Sequence, residues 1–243
     1  MLQDLLSSPG SRAAAERLAA DLERVFGPRL QALLAYAPAQ SGGRPADAGL
    51  THALALVERL SVEDLSALLT VVADWHKRGL ATPLLVTREE FERSLDVFPL
   101  EYGEILARHV VLRGALPEHA RVGEADLRRG CERQVKGHLI HLREGYLETH
   151  GRPAALADLL RASVPPFRAA LANVARLHGA PHEGDEALAA FAAGALGTDG
   201  AAAGDVLRFG EKGQTVDAPP LLPPYLRLVE RLWQLVDGWS VTR

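Results

Sequence analysis

Cysteine is nearly missing: one residue, Cys131, among 243, which excludes an intramolecular disulfide and a cysteine-built zinc site. Long apolar runs are missing as well, since none reaches the roughly 18 to 20 residues of a membrane-spanning helix. The opening MLQDLLSSPGSR lacks the charged-then-apolar pattern of a secretory signal, so a cytoplasmic protein is expected. Lysine is scarce: Lys77, Lys136 and Lys212 are three of 27 basic residues, leaving 24 arginines, a bias that reads as genome composition before function. A positive excess is also lacking. A net charge of -4 and a pI near 6.1 argue against wholesale nucleic-acid binding. Arg12, Arg17, Arg24 and Arg29, like Arg128, Arg129, Arg133 and Arg143, are interleaved with acids, the pattern of solvated helix faces. There is no internal repeat.

The length suits one large domain or two small ones, each able to bury a core. In the first half, helix and strand signals alternate. Ala15, Leu18, Leu22 and Val25 share a helical face over residues 12–25, and Gly27-Pro28 stops it. Residues 30–36 form a short apolar run that reads as a buried strand, and 52–58 a second such run whose alanines and leucines also favour helix. Ser61 opens a helix with Leu65, Leu68, Leu69, Val72 and Trp75 expected on one side and Gly79 as its stop. Residues 82–87 read as a strand, Thr87 and Glu90 as a capping box for a brief helix, and 95–102 as a strand in which Pro99 favours an edge or bulge. Residues 109–114 add a short strand. This alternation predicts a small α/β sheet.

The second half reads as helices. Leu127, Cys131, Val135, Leu139, Leu142 and Tyr146 recur every three or four residues on a long amphipathic helix stopped at Gly151. Helices follow at 153–163, 165–178 (after Pro165-Pro166) and 185–196. A Gly-, Ala- and Pro-rich stretch to Pro224 reads as a loop. A last helix places Leu226, Val229, Leu232, Trp233 and Val236 together, giving an all-helical bundle.

The segment SLDVFPLEYGEILARHVVLRG, followed by LRRGCERQVKGHLIHLREGYL, resembles bacterial proteins with a nucleotidyltransferase-like domain and a C-terminal helical bundle, an architecture also seen in aminoglycoside nucleotidyltransferases. The pieces that carry the resemblance are Asp96 to Glu101, His109 to Gly114, and Leu127 to Tyr146. It implies an α/β (α+β) nucleotidyltransferase-like domain with a small mixed sheet over residues 1–117, then the bundle over 118–243. It also implies an active site with Gly-Ser in the turn after the first strand, Asp-x-Asp on the next strand and a third acid later. Backbone amides and acids of that kind hold a triphosphate and gather Mg²⁺ around it.

Laid on that pattern, Gly-Ser falls on Ala37-Pro38 and Asp-x-Asp falls near Thr51, His52 and Ala53. Pro38 removes an amide that would face phosphate. Loss of the metal ligands slows phosphoryl transfer by roughly a thousandfold or more. The acids left as catalytic candidates are Asp47, Asp96, Glu101 and Glu104, and the candidate nucleotide loop is Ser41, Gly42 and Gly43. The plain alternative is that Asp96 and Glu101 are edge charges or hold Arg108 or Arg113.

Other residues invite a chemical reading and a plainer one. His138, His141 and Glu144 are spaced three apart on one helix, but helical zinc pairs more often use His at i and i+4, so a bundle-boundary role is expected. The Arg143–His150 spacing looks like the Arg-x(4–6)-His signature of HEPN-type ribonucleases; alternatively His150 occupies the last helical turn, where a cation suits the dipole. GEKGQT (210–215) lacks the order of a phosphate loop. Cys131 is expected to be a buried core thiol, and Trp233 and Trp239 to pack on the bundle.

The expectation is a catalytically degenerate nucleotidyltransferase-like protein that acts as a protein-interaction or nucleotide-sensing module. The alternatives are an active nucleotidyltransferase with rearranged Mg²⁺-binding carboxylates, and a helical-bundle ribonuclease. No cofactor or resident metal is expected unless the transferase reading holds, in which case Mg²⁺ is. The partner would be a protein or a nucleotide-like small molecule, with a homodimer as one option, and neither membrane nor nucleic acid.

Overall fold

The computed structural model of the chain describes residues 8–36, 50–209, 211 and 217–240. It divides into two compact units, Met1–Gly123 and Glu124–Arg243. Among the described residues, no helix is long and apolar enough to cross a membrane.

The first unit is mixed α/β. Helix α1 (Pro9–Phe26) begins where the Ser8 side chain accepts from the Ser11 amide and Pro9 takes the first turn, where a missing N–H costs nothing. Strand β1 (Leu30–Tyr36) follows, then β2 (His52–Val57), α2 (Val62–Lys77), β3 (Leu84–Thr87), α3 (Arg88–Ser94), α4 (Pro99–Ala107) and β4 (His109–Gly114). The sheet order is β3-β2-β1-β4. β1 pairs antiparallel with both β2 and β4, and β2 pairs parallel with β3. β1 is therefore interior, and Ala32 to Ala35 are all buried.

Alternation along the strands divides the core into two layers. Leu33, Ala53, Ala55 and Val57 pack with Leu18, Leu22 and Phe26 of α1 and Leu68, Val71 and Trp75 of α2. Ala32, Leu34, Leu54 and Leu56 pack on the other face with Phe91 of α3 and Tyr102 and Ile105 of α4. At the end of β4, Gly114 has φ +63°, and a Cβ there would stand 1.9 Å from the Gln31 carbonyl oxygen. Only glycine fits that approach.

Three polar devices fix the first layer. Ser61 and Asp64 cap α2 reciprocally. Asp64 also takes both Arg29 guanidinium nitrogens, at 2.9 and 2.8 Å, and these bonds, helped by Ser61, hold its carboxyl far below the usual carboxylate range. The buried Asp21 of α1 accepts from the Trp75 indole nitrogen of α2 at 3.0 Å.

Two expectations for this unit are corrected. Residues 95–102 are not a strand: Leu95–Phe98 turn, and Pro99 then starts α4, with Pro99, Tyr102 and Ile105 buried at helical spacing. Proline at the first helical position loses no hydrogen bond, and Glu101 sits in the first turn where negative charge suits the dipole. On α2 the buried face is Asp64, Leu68, Val71 and Trp75, while Val62, Leu65 and Leu69 are exposed. Asp64, Leu68, Val71 and Trp75 follow one another at helical spacing, and Leu68, Val71 and Trp75 pack into the core from that face.

The second unit is helical: α5 (Glu124–Glu148), α6 (Pro153–Leu177), α7 (Asp185–Leu196), a 3-10 segment (Gly197–Ala202), α8 (Ala203–Leu207) and α9 (Ala218–Asp237). Cys131, Val135, Leu139 and Leu142 form the buried stripe of α5. Arg168 ties α6 to α7 through both oxygens of Asp185, at 2.6 and 2.7 Å. Asp199 meets Arg227 and Arg231 of α9.

Here too the structure differs from expectation. The helices expected at 153–163 and 165–178 are one continuous α6, with Pro165 and Pro166 inside it. Prolines there leave the Arg161 and Ala162 carbonyls without their usual i+4 amides, and Ser163, Val164, Phe167, Ala169 and Ala170 are buried around them, so packing outweighs the lost bonds. The stretch after Leu196 is not all loop. α9 starts at Ala218 rather than Tyr225, with prolines in its first turn and again at 223 and 224, and its buried stripe is Leu221, Leu222, Tyr225, Leu228, Val229, Leu232 and Val236.

Candidate functional site

β1 runs to Tyr36, β2 begins at His52, and β4 begins at His109. The register sets Tyr36 opposite His52 on one side and opposite His109 on the other. Directly opposed residues of an antiparallel ladder project to one face, so the three form a row across three adjacent strands. They lie on the α4 side, where Tyr36 packs against the layer containing Tyr102 and Ile105.

All three side chains are half-buried. The Tyr36 and His52 rings are 5.6 Å apart and tilted by 43°. His109 Nδ1 lies 3.1 Å from the Ile105 carbonyl oxygen. A carbonyl only accepts, so Nδ1 carries the hydrogen and Nε2 is left as an acceptor. The Tyr36 phenol is pushed up to about 12, first by burial, then by the Glu104 carboxylate and Tyr102. Tyr36 therefore stays a hydroxyl at neutral pH. The row offers a phenol O–H, an imidazole acceptor, ring faces and the nearby Glu104. That set suits a flat polar ring held by stacking and hydrogen bonds.

The candidate acids from the sequence separate. Asp96 is exposed in the turn between α3 and α4, and Glu101 is exposed on the first turn of α4. Glu104, one turn on, is half-buried and is the acid that acts on Tyr36. Arg113, which Asp96 or Glu101 could have held, instead meets Glu16 and Glu23 of α1 at 2.7 Å each. Among the described residues, no three His, Cys, Asp or Glu side chains are grouped so as to hold a metal ion. Asp47, the loop Ser41, Gly42 and Gly43, and Ala37-Pro38 lie outside the described residues.

Where Asp-x-Asp would fall, Thr51 bridges to the segment after α2: its amide donates to Gly79 O at 2.9 Å and its carbonyl accepts from Ala81 at 3.0 Å. Ala53 is 2% exposed in the layer under α1 and α2. A carboxylate there would be buried among hydrocarbon, at high desolvation cost.

In the second unit, burial pushes the Cys131 thiol up to about 12, as befits an unreactive core residue. His138 and His141 diverge. His141 bonds Glu144 at the surface, at 3.2 Å, whereas His138 Nε2 lies 2.7 Å from the buried Tyr225 hydroxyl. Arg143 is ion-paired with Glu230 of α9. His150 is not in the last helical turn: it lies beyond the end of α5 with φ +50°. Lys136 Nζ sits 3.4 Å over the half-buried Trp233 ring, and Trp239 is half-buried. GEKGQT, apart from Glu211, lies outside the described residues.

Sequence reading did not find the Tyr36–His52–His109 row or the His138–Tyr225 bond. The available signal for the row was that an aromatic ends one apolar run and a histidine begins each of two others. Compared with protein-family models and with characterised proteins, the chain matches none.

Proposed function

We propose that the first unit is a nucleotidyltransferase-like domain that has exchanged phosphoryl transfer for binding, and that the protein works as a nucleotide-sensing or protein-interaction module. The observation that carries this reading is the row Tyr36, His52 and His109, in which His52 falls where the resemblance calls for Asp-x-Asp. A phenol and two imidazoles suit a base or sugar; they do not neutralise the charge that develops in phosphoryl transfer. The exposed Val97 and Phe98, in the turn that leads into α4, supply apolar surface for a protein partner in the same region.

The test is calorimetric titration of ATP, GTP, CTP and UTP into the protein with Mg²⁺ and with EDTA. Sensing requires saturable binding of at least one nucleotide in EDTA, weakened by His52→Ala, with no pyrophosphate released. Binding that appears only with Mg²⁺, accompanied by pyrophosphate release, returns the protein to the transferases. Absence of binding at millimolar nucleotide leaves the protein-interaction half of the reading alone.

A further inference from the structure

The second unit contains a groove of about 460 Å³ between α5 and α6, within the range of small-molecule sites. Two local departures from ordinary helix packing go with it. On α5, Gly137 presents no side chain, and a Cβ built there would meet nothing within 4 Å. On α6, Ala162 and Pro166 form the facing wall at the internal proline pair. Leu142 and Leu159 complete an apolar lining, and no carboxylate is among the residues that line it.

Five polar residues line this groove: Gln134 accepts from Asn173, His141 bonds Glu144 and the Ser163 hydroxyl donates to the Leu160 carbonyl, and the other two are His138 and Arg133. His138 lines it while its Nε2 engages Tyr225, whose hydroxyl lies 3.4 Å from the Ser163 carbonyl oxygen. The arrangement that satisfies both contacts has Nε2–H donating to the tyrosine oxygen and the hydroxyl donating to the carbonyl. That leaves Nδ1 as an acceptor, without a partner among the described residues. Burial, aided by His141, lowers the His138 pKa to about 4, so the imidazole is neutral at pH 7. Arg133, also in the lining, is exposed and makes no ion pair among the described residues. The two residues are five positions apart, about 7.5 Å along the helix axis.

We propose that this groove binds a small amphipathic carboxylate, with its apolar body between Gly137 and Pro166, a hydroxyl or N–H donated to His138 Nδ1, and its carboxylate paired with Arg133. The charge matches on both counts. A lone cation at the lip of an apolar groove favours an anion with a hydrocarbon body, and a neutral imidazole acceptor favours a donor. This site does not depend on the reading of the first unit.

The experiment titrates indole-3-propionate and 3-(4-hydroxyphenyl)propionate into the full chain at pH 7, followed by calorimetry. At least one probe is expected to bind saturably, with about a tenfold loss in Arg133→Ala and the same loss when 3-methylindole replaces the indole acid. Gly137→Leu, which fills the groove, is expected to abolish binding while circular dichroism shows the helices retained. If Gly137→Leu does not fold, Arg133→Ala and the 3-methylindole comparison carry the test alone. The proposal is overturned if neither probe binds at millimolar concentration, or if binding is indifferent to both Arg133→Ala and loss of the carboxylate.

Discussion

Gly145 of α5 lies directly beneath Leu159 of α6: a Cβ on the glycine would stand 2.5 Å from Leu159 Cδ1. Two turns earlier on the same helix, Gly137 faces open space. One glycine admits a neighbour and the other does not, and this contrast separates two substitutions of identical chemistry. Gly137→Ala is expected to raise unfolding stability by about 0.5–1 kcal/mol through backbone entropy alone. Gly145→Ala has the same gain available but must displace Leu159, and is expected to be neutral to destabilising by about 1 kcal/mol. Urea unfolding of the two variants decides it, and equal stabilisation would contradict the packing described.

Asp21 and Trp75 join α1 to α2 through a buried contact. Asp21→Ala strands the indole N–H in a closed core and is expected to cost about 1–3 kcal/mol. Asp21→Asn keeps an acceptor and should lose less. Denaturant midpoints of the two variants, together with the near-ultraviolet signal of Trp75, report the difference.

His138 ties stability to pH. Its folded value of about 4 lies below the ordinary 6.5, so between those values the unfolded chain binds the extra proton. Stability from this group is complete above about 6.5 and is lost as pH falls towards 4, a swing of roughly 3 kcal/mol at most. In His138→Gln, which can still meet Tyr225, the stability curve over that window should be flatter than in the parent by about that amount. Identical slopes would mean that His138 is not held neutral.

At the sheet end, introducing acids should separate two neighbouring positions. Ala53→Asp buries a carboxylate among the side chains under α1 and α2 and is expected to destabilise the protein by several kcal/mol. His52→Asp, at a half-buried position on the other face, is expected to be tolerated within about 1 kcal/mol. Thermal melting of both variants checks the assignment of faces.

Much of the first unit was legible because local chemistry and tertiary demand agree there. Ser61 and Thr87 begin their helices with the reciprocal caps their neighbours advertise, and the apolar runs read at 30–36 and 52–58 form the strands Leu30–Tyr36 and His52–Val57. Proline caused most of the misreadings. Pro99 begins a helix, Pro165-Pro166 lie within one, and Pro219 and Pro220 open another; in each case burial of the flanking apolar residues sets the outcome. The Tyr36–His52–His109 row was illegible for a different reason: it exists only through strand register, which a linear pattern does not encode. Of the acids singled out in the sequence that lie among the described residues, Glu104 alone acts on that row, through the helical phase of a segment expected to be a strand.

The order of strands in the sheet has a consequence for synthesis. β1 is an interior strand, yet one of its two partners, β4, begins only at His109. Until the ribosome has released that segment, β1 presents a bare row of amides and carbonyls on an apolar ribbon, the kind of edge that recruits other chains. Chains truncated at Arg108 should therefore accumulate in the insoluble fraction, whereas chains extended through Gly123 close the sheet and stay in solution.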